Sequence, residues 1–164
     1  MTNKETEMFY KQAMSFLGQG ETRKAIDFFN KALEFDNQYL PALNNKGVAL
    51  IELKDYRQAE ECFGMVVKLN PADRMALYNR GYALLMLEEY QKSVEIFDFF
   101  LANISRKNDF FKFGLYLQSK GFYGLNEHDK AVSLLNDALK VDKKFKEAQD
   151  LLNQVLKEKK KIEN

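Results

Sequence analysis

The side chains best suited to catalysis are few and scattered in this chain. His128 is the single histidine, and its neighbours Glu127 and Asp129 predict a solvated helix start, where acidic groups complement the helix dipole. Cys62 is the single cysteine, and its residue type favours a small buried apolar side chain. The sequence has no Cys–His pair, no metal-ligand spacing, no glycine-rich phosphate loop and no G-x-S-x-G motif. We therefore expect neither enzyme activity nor a cofactor.

Charged clusters could in principle hold protons or bind polyanions. The pairs Glu60–Glu61 and Glu88–Glu89 are expected to be exposed helical charge, with Lys or Arg three or four residues away. The basic run from Lys157 to Lys161 is diluted by Glu158, so a solvated tail is the preferred interpretation. Because the net charge is only +1, we expect no nucleic-acid partner.

Small and aromatic residues recur with a fixed step along the chain. A period of about 34 residues is typical of stacked helix–turn–helix repeats, none of which can bury its apolar face alone. We call this interval the repeat step. The series that keep it are Ala13, Gly47 and Gly81; Ala25, Ala59 and Ser93; and Phe29, Phe63 and Phe97.

The series define four repeats in one domain, 1–164. The repeats span about 6–39, 40–73, 74–107 and 112–145, and a capping helix follows at 145–161. Between the third and fourth repeats the register slips by four residues, around 103–111, which predicts a longer turn or an extended helix end. Gly20 and Asn126 are expected in turns with positive φ. Apolar periodicity predicts an all-α chain with helices at about 6–19, 22–36, 40–53, 56–69, 74–87, 90–104, 109–124, 128–141 and 145–161.

The joint pattern resembles the tetratricopeptide repeat (TPR) family. The second and third repeats carry it best, and the second has Leu43, Gly47, Leu50, Tyr56, Ala59, Phe63 and Pro71. The third repeat has bulky Phe100 where the family commonly has alanine, and only Pro71 occupies the closing proline position. The resemblance implies a right-handed superhelix, an α-solenoid that acts as a protein-binding scaffold.

The resemblance also implies where a partner would bind. In this family the first helix of each repeat lines a concave groove, and tyrosine and methionine there suit recognition. The groove residues that follow are Tyr10, Met14, Asn44, Asn45, Val48, Met75, Tyr78, Asn79, Tyr82, Met86, Phe113, Tyr116 and Tyr123.

Two ways in which TPR proteins bind peptides can be compared with these positions. Asn45 and Asn79 would form two rungs of an asparagine ladder along a bound peptide, although asparagine at this position is equally consistent with chance. Heat-shock co-chaperones of the family grip a terminal carboxylate with lysine and arginine, and either alignment of three repeats puts no cation at those positions. A desolvated carboxylate without a cation is costly, so we expect no carboxylate clamp.

These observations favour an adaptor that binds an apolar or amphipathic peptide segment of another protein. We expect Tyr78→Ala with Tyr82→Ala to abolish partner capture. One alternative is a homo-oligomer that associates through aromatic residues at Phe99, Phe110, Phe111 and Phe145. Another is a regulatory module of a larger complex. With one cysteine, no bilayer-length apolar run and no visible secretory leader, we expect a cytoplasmic location and no membrane insertion.

Overall fold

The computed structural model describes residues 4–106 and 108–162, and this part of the chain is helical. The predicted helices are all present, and their ends differ from the prediction by at most two residues. No strand occurs among these residues. Within these described ranges the nine helices are α1 (Lys4–Gly18), α2 (Thr22–Phe35), α3 (Leu40–Glu52), α4 (Tyr56–Leu69), α5 (Arg74–Met86), α6 (Tyr90–Ala102), α7 (Asp109–Gly124), α8 (His128–Val141) and α9 (Lys146–Ile162).

The helices form two compact units, Met1–Ala83 and Leu84–Asn164, with the boundary inside α5. In the N-terminal unit, α1 and α2 pack as a hairpin through small residues around the buried ring of Phe29. The α3–α4 hairpin repeats this arrangement around Phe63. A Cβ atom added to Gly47 would lie 2.6 Å from the Phe63 ring, so the small residue at this position permits the close approach of α3 and α4.

In the C-terminal unit, α7, α8 and α9 share one core. Its buried residues are Leu115, Leu135, Ala138, Phe145, Ala148, Leu152 and Val155. Helix α9 therefore packs in one core with α7 and α8. Burial of Phe145 also means that the prediction of an exposed aromatic surface was wrong for this residue, whereas Phe99 and Phe110 are exposed.

The register slip falls in the connection between α6 and α7. Helix α6 ends at Ala102 and α7 begins at Asp109, so this connection has six residues, against four between α4 and α5. Helix α7 also begins three residues earlier in its repeat than α5 does, so the slip lengthens both the turn and the start of the helix. Phe100 is buried where the two preceding repeats have Ala32 and Val66. Gly114 lies opposite it, and a Cβ atom there would be 2.7 Å from the Phe100 ring. The bulky ring is thus accommodated by a glycine on the facing helix.

The turns within the helix hairpins share one backbone conformation. Gly20 and Asn126 have φ of 74° and 60°, as predicted. Lys54 and Glu88 also adopt positive φ, at 61° and 60°, although neither residue type favours it. The repeat step alone could have located these two turns, because two successive steps from Gly20 lead to Lys54 and then to Glu88.

Candidate functional site

The side chains with intrinsic chemistry do not converge. Cys62 is buried as predicted, and this burial raises the pKa of its thiol. His128 is the first residue of α8, and its half-buried ring lies 5.8 Å from the ring of Tyr123. Within residues 4–106 and 108–162, no group of three or more His, Cys, Asp or Glu side chains is placed to hold a metal ion.

The acidic pairs are positioned differently from the expectation. Glu60 is half-buried and accepts a hydrogen bond from Arg80 Nε at 2.8 Å, so it takes part in a long-range ion pair rather than in exposed helical charge. Glu88 and Glu89 lie between α5 and α6, not within a helix. Glu89 pairs with Lys92 at 2.6 Å, whereas Glu88 is exposed. The prediction failed for Glu60 because its partner is 20 residues away.

The first helices of the N-terminal unit present apolar side chains to solvent. Met14 in α1 is 39% exposed, Val48 in α3 is 50% exposed and Met75 in α5 is 51% exposed. Met14 and Val48 are separated by one repeat step, and the next step leads on to Tyr82. Helical spacing places further predicted residues near these. The surface, named here the first-helix surface, comprises Tyr10, Met14, Asn44, Asn45, Val48, Met75, Tyr78, Asn79 and Tyr82.

A direct hydrogen bond joins the first and second repeats at this surface. The Asn45 side-chain amide donates to the Tyr10 hydroxyl at 3.1 Å and to the Pro41 carbonyl oxygen at 2.9 Å. Tyr10 also packs edge-on against Tyr39, with ring centroids 5.4 Å apart. Both amide hydrogens of Asn45 therefore have acceptors inside the protein, and donation to a bound peptide would require one of these bonds to break.

The two tyrosines of α5 are half-buried. Burial is the main cause of the raised pKa of Tyr78, and the neighbouring Tyr82 adds to it. The pKa of Tyr82 is also raised, first by burial and then by Tyr56, whose ring lies edge-on at 6.3 Å. Each of these side chains is therefore partly packed inside the protein and partly exposed on the first-helix surface.

The predicted residues of the C-terminal unit are divided between two environments. Met86 and Tyr123 line a cavity of 310 Å³, together with five further residues. These additional residues are Leu85, Glu88, Tyr90, Lys120 and Gly124. Phe113 and Tyr116 instead pack against Phe145, with ring centroids 5.3 and 5.2 Å apart. One part of the predicted set therefore faces an open cavity, and the other contacts the segment that precedes α9.

Helix α9 contributes polar groups that the sequence did not reveal as neighbours of this set. Tyr123 donates to Glu158 at 2.8 Å and accepts from Gln154 Nε2 at 2.7 Å. The bond to Glu158 is the main reason why the pKa of Tyr123 is raised and that of Glu158 is lowered. Lys159 pairs with Asp129, so the prediction of a fully solvated basic tail was wrong at this residue.

Comparison with known proteins identifies the architecture. Models of the tetratricopeptide repeat match residues 41–73 and 7–35. The chain belongs to the tetratricopeptide repeat family. It is 40% identical over 60 residues to an uncharacterized protein, MJ0572, of Methanocaldococcus jannaschii, a match that covers 37% of this chain and 70% of the relative.

Solved TPR structures extend the similarity over nearly the whole chain. MamA residues 41–end from Desulfovibrio magneticus RS-1 superpose with a TM-score of 0.89 at 20% identity, covering 98% of this chain and 88% of the MamA chain. PilW, described as a type IV pilus biogenesis factor, gives a TM-score of 0.74 at 19% identity, covering 93% of this chain and 69% of the PilW chain. At these identities the likeness establishes the all-α TPR fold. Across the helices that the structure describes, none has the length and apolar character needed to cross a bilayer.

Proposed function

We propose that this TPR protein is an adaptor that binds an apolar or amphipathic segment of a partner protein on the first-helix surface of its N-terminal unit. The observation that carries the proposal is the exposure of Met14, Val48 and Met75. Exposed apolar side chains of this size lose solvent contact favourably when a partner covers them, at about 25 cal/mol per Å². Methionine adapts to irregular partner shapes, so this surface suits an apolar segment.

Preorganisation supports the same proposal. The Asn45–Tyr10 hydrogen bond joins two repeats, and Tyr82 packs against Tyr56. Groups that are already held in place lose little conformational entropy on binding. An apolar peptide on such a surface would bind with a dissociation constant on the order of micromolar after the costs of association.

The same surface argues against recognition of a terminal carboxylate. Its exposed members are apolar, and the side-chain donors of Asn45 are already occupied. A carboxylate buried there would lack a cation within the predicted set, which is unfavourable. We accordingly propose a binding role without catalysis, in a cytoplasmic setting.

Serine substitutions at exposed positions test this proposal. Short peptides selected by display on the immobilised protein would be measured by fluorescence anisotropy against Met14→Ser, Val48→Ser and Met75→Ser. Each change should weaken binding about three- to tenfold, because an apolar contact is lost. Met65→Ser is the matched control, since Met65 is as exposed as Met14, at 39%, but lies on the second helix α4. A weakening by Met65→Ser alone would reject this surface.

A further inference from the structure

Four phenylalanines form a continuous aromatic cluster on α1 and α2. The rings of Phe9 and Phe35 stack with centroids 5.6 Å apart, and Phe28 joins Phe9 at 6.3 Å and Phe16 at 5.0 Å. Phe35 is 48% exposed, and the other three are half-buried. We name these four residues the aromatic patch.

The repeat register shows that three of the four rings in the aromatic patch occupy positions that are buried in the second repeat. One repeat step takes Phe9 to Leu43, Phe16 to Leu50 and Phe28 to Cys62, and all three of these later residues are buried. In the second repeat, Ile26 and Leu33 of α2 pack against the core that contains them. Aromatic rings left partly exposed at positions that the second repeat buries indicate a surface that another helix covers.

A stripe of alternating charge borders the aromatic patch along α2. Lys24, Asp27, Lys31 and Glu34 are all exposed, and their spacing of three, four and three residues places them on one helix face. Lys31 Nζ lies 4.4 Å from the Phe28 ring centroid and 5.9 Å from that of Phe9. Lys24 Nζ lies 5.7 Å from the Phe16 centroid and also pairs with Glu21. The stripe and the rings therefore form one surface.

The order of charges makes this stripe complementary to itself. If a second α2 runs antiparallel with the two helices centred on residue 29, Lys24 faces Glu34 and Asp27 faces Lys31, because each pair of numbers averages to 29. All four cross-helix pairs are then of opposite sign. A two-fold axis requires this kind of match, in which residue i contacts j and j contacts i. A partner of one charge sign would leave half of the stripe facing like charge.

We propose that two copies of this chain form a symmetric dimer in which the α2 helices pack antiparallel and the aromatic patches cover each other. The net charge of +1 leaves little repulsion between copies. This interface comprises α2 together with Phe9 and Phe16 of α1. None of its residues belongs to the first-helix surface, so it is independent of peptide binding.

Sedimentation velocity over a wide range of protein concentrations tests the dimer. Lys31→Glu places two like-charged pairs across the axis and should raise the dimer dissociation constant about tenfold or more. The exchange Asp27→Lys with Lys31→Glu restores opposite signs and should recover most of the affinity. Circular dichroism establishes that each variant is folded.

An aromatic pair of substitutions supplies the second arm. Phe35→Ser should weaken the dimer, whereas Phe99→Ser should not, although Phe99 is similarly exposed at 47% and lies on α6. A wild-type protein that stays monomeric at millimolar concentration overturns the proposal. So does a dimer that Lys31→Glu leaves intact, that the charge exchange fails to rescue, or that Phe99→Ser weakens instead of Phe35→Ser.

Discussion

At the scale of single residues, the hairpin turns contain residue types that disfavour positive φ but adopt it because each repeat has the same turn. Lys54 and Glu88 adopt the same positive φ as Gly20, because the turn geometry is common to these hairpins. Sequence inspection finds such turns when glycine or asparagine marks them. It missed these two because lysine and glutamate carry no such preference, and only the repeat step identifies them.

Replacing Lys54 with glycine should stabilise the protein. A non-glycine residue with positive φ destabilises the folded state by roughly 1–2 kcal/mol. Glycine offsets part of this, because ordering its more flexible backbone on folding costs about 0.5–1 kcal/mol. The expected net gain is about 0.5–1 kcal/mol, measured as a higher urea midpoint. Gly20→Ala is the reciprocal control and should lower the midpoint, since its φ is 74°. Equal behaviour of the two variants would contradict the shared-turn interpretation.

The Tyr123–Glu158 hydrogen bond should be visible in a pH titration. Its donor pKa is raised above the usual 10.0 and its acceptor pKa is lowered below the usual 4.5. A lowered carboxyl pKa contributes stability above the unfolded value, which is lost as pH falls through the folded value. A raised phenol pKa contributes stability below the unfolded value, which is lost as pH rises through the folded value. The contact therefore contributes most between these limits.

The measurement is an NMR titration of the Glu158 side-chain carboxyl carbon. In the wild type its midpoint should fall below the ordinary glutamate range, because the phenol stabilises the ionised form. Tyr123→Phe should move it upward toward that range. An unchanged midpoint in this variant would show that another group sets the titration of Glu158.

At the scale of helices, the sequence was most informative where one period governed the structure. Helix positions followed from the repeat step and apolar periodicity, because each repeat buries equivalent residues against its neighbours. Contacts that differ between repeats could not be read this way. The Glu60–Arg80 pair and the Tyr123–Glu158 bond each join separate helices through side chains with no repeated signal.

The packing of α6 against α7 allows a test of whether the small residue Gly114 compensates for the large residue Phe100. Val66 and Ala76 belong to the same core one repeat earlier, at the positions that Phe100 and Gly114 occupy here. Gly114→Ala should cost about 1–3 kcal/mol, because the new methyl group overlaps the Phe100 ring. Combining it with Phe100→Val should recreate the earlier pair and cost about 1 kcal/mol less than the sum of the single changes.

Chemical denaturation of the four proteins in this double-mutant cycle gives the coupling free energy. Gly18→Ala serves as a control for the glycine substitution, since nothing lies within 4 Å of a Cβ atom there. Additive effects of the changes at residues 100 and 114 would mean that the ring and the glycine are not energetically coupled.

At the scale of the whole molecule, the predicted binding set is divided between two kinds of environment. Met14, Val48 and Met75 are exposed, as recognition requires. Tyr116 contacts Phe145 and Tyr123 contacts α9. The sequence could not indicate the contact of Tyr123, because the repeats before α9 contain no equivalent of it. The family assignment fixes the architecture, and the identity of the exposed side chains is what makes the N-terminal unit the proposed binding surface.

The most direct test uses the six methionines as reporters of where a peptide binds. Methyl-labelled methionine NMR would follow the titration of a display-selected amphipathic peptide into the protein. Met14 and Met75 lie on the first-helix surface. Met65 lies on α4, and Met8 lies in α1 directly before Phe9, outside that surface. The proposed binding surface predicts that the Met14 and Met75 signals shift on saturation while those of Met8 and Met65 stay in place. Shifts confined to Met8 or Met65, or a selection that yields no binding peptide, would contradict it.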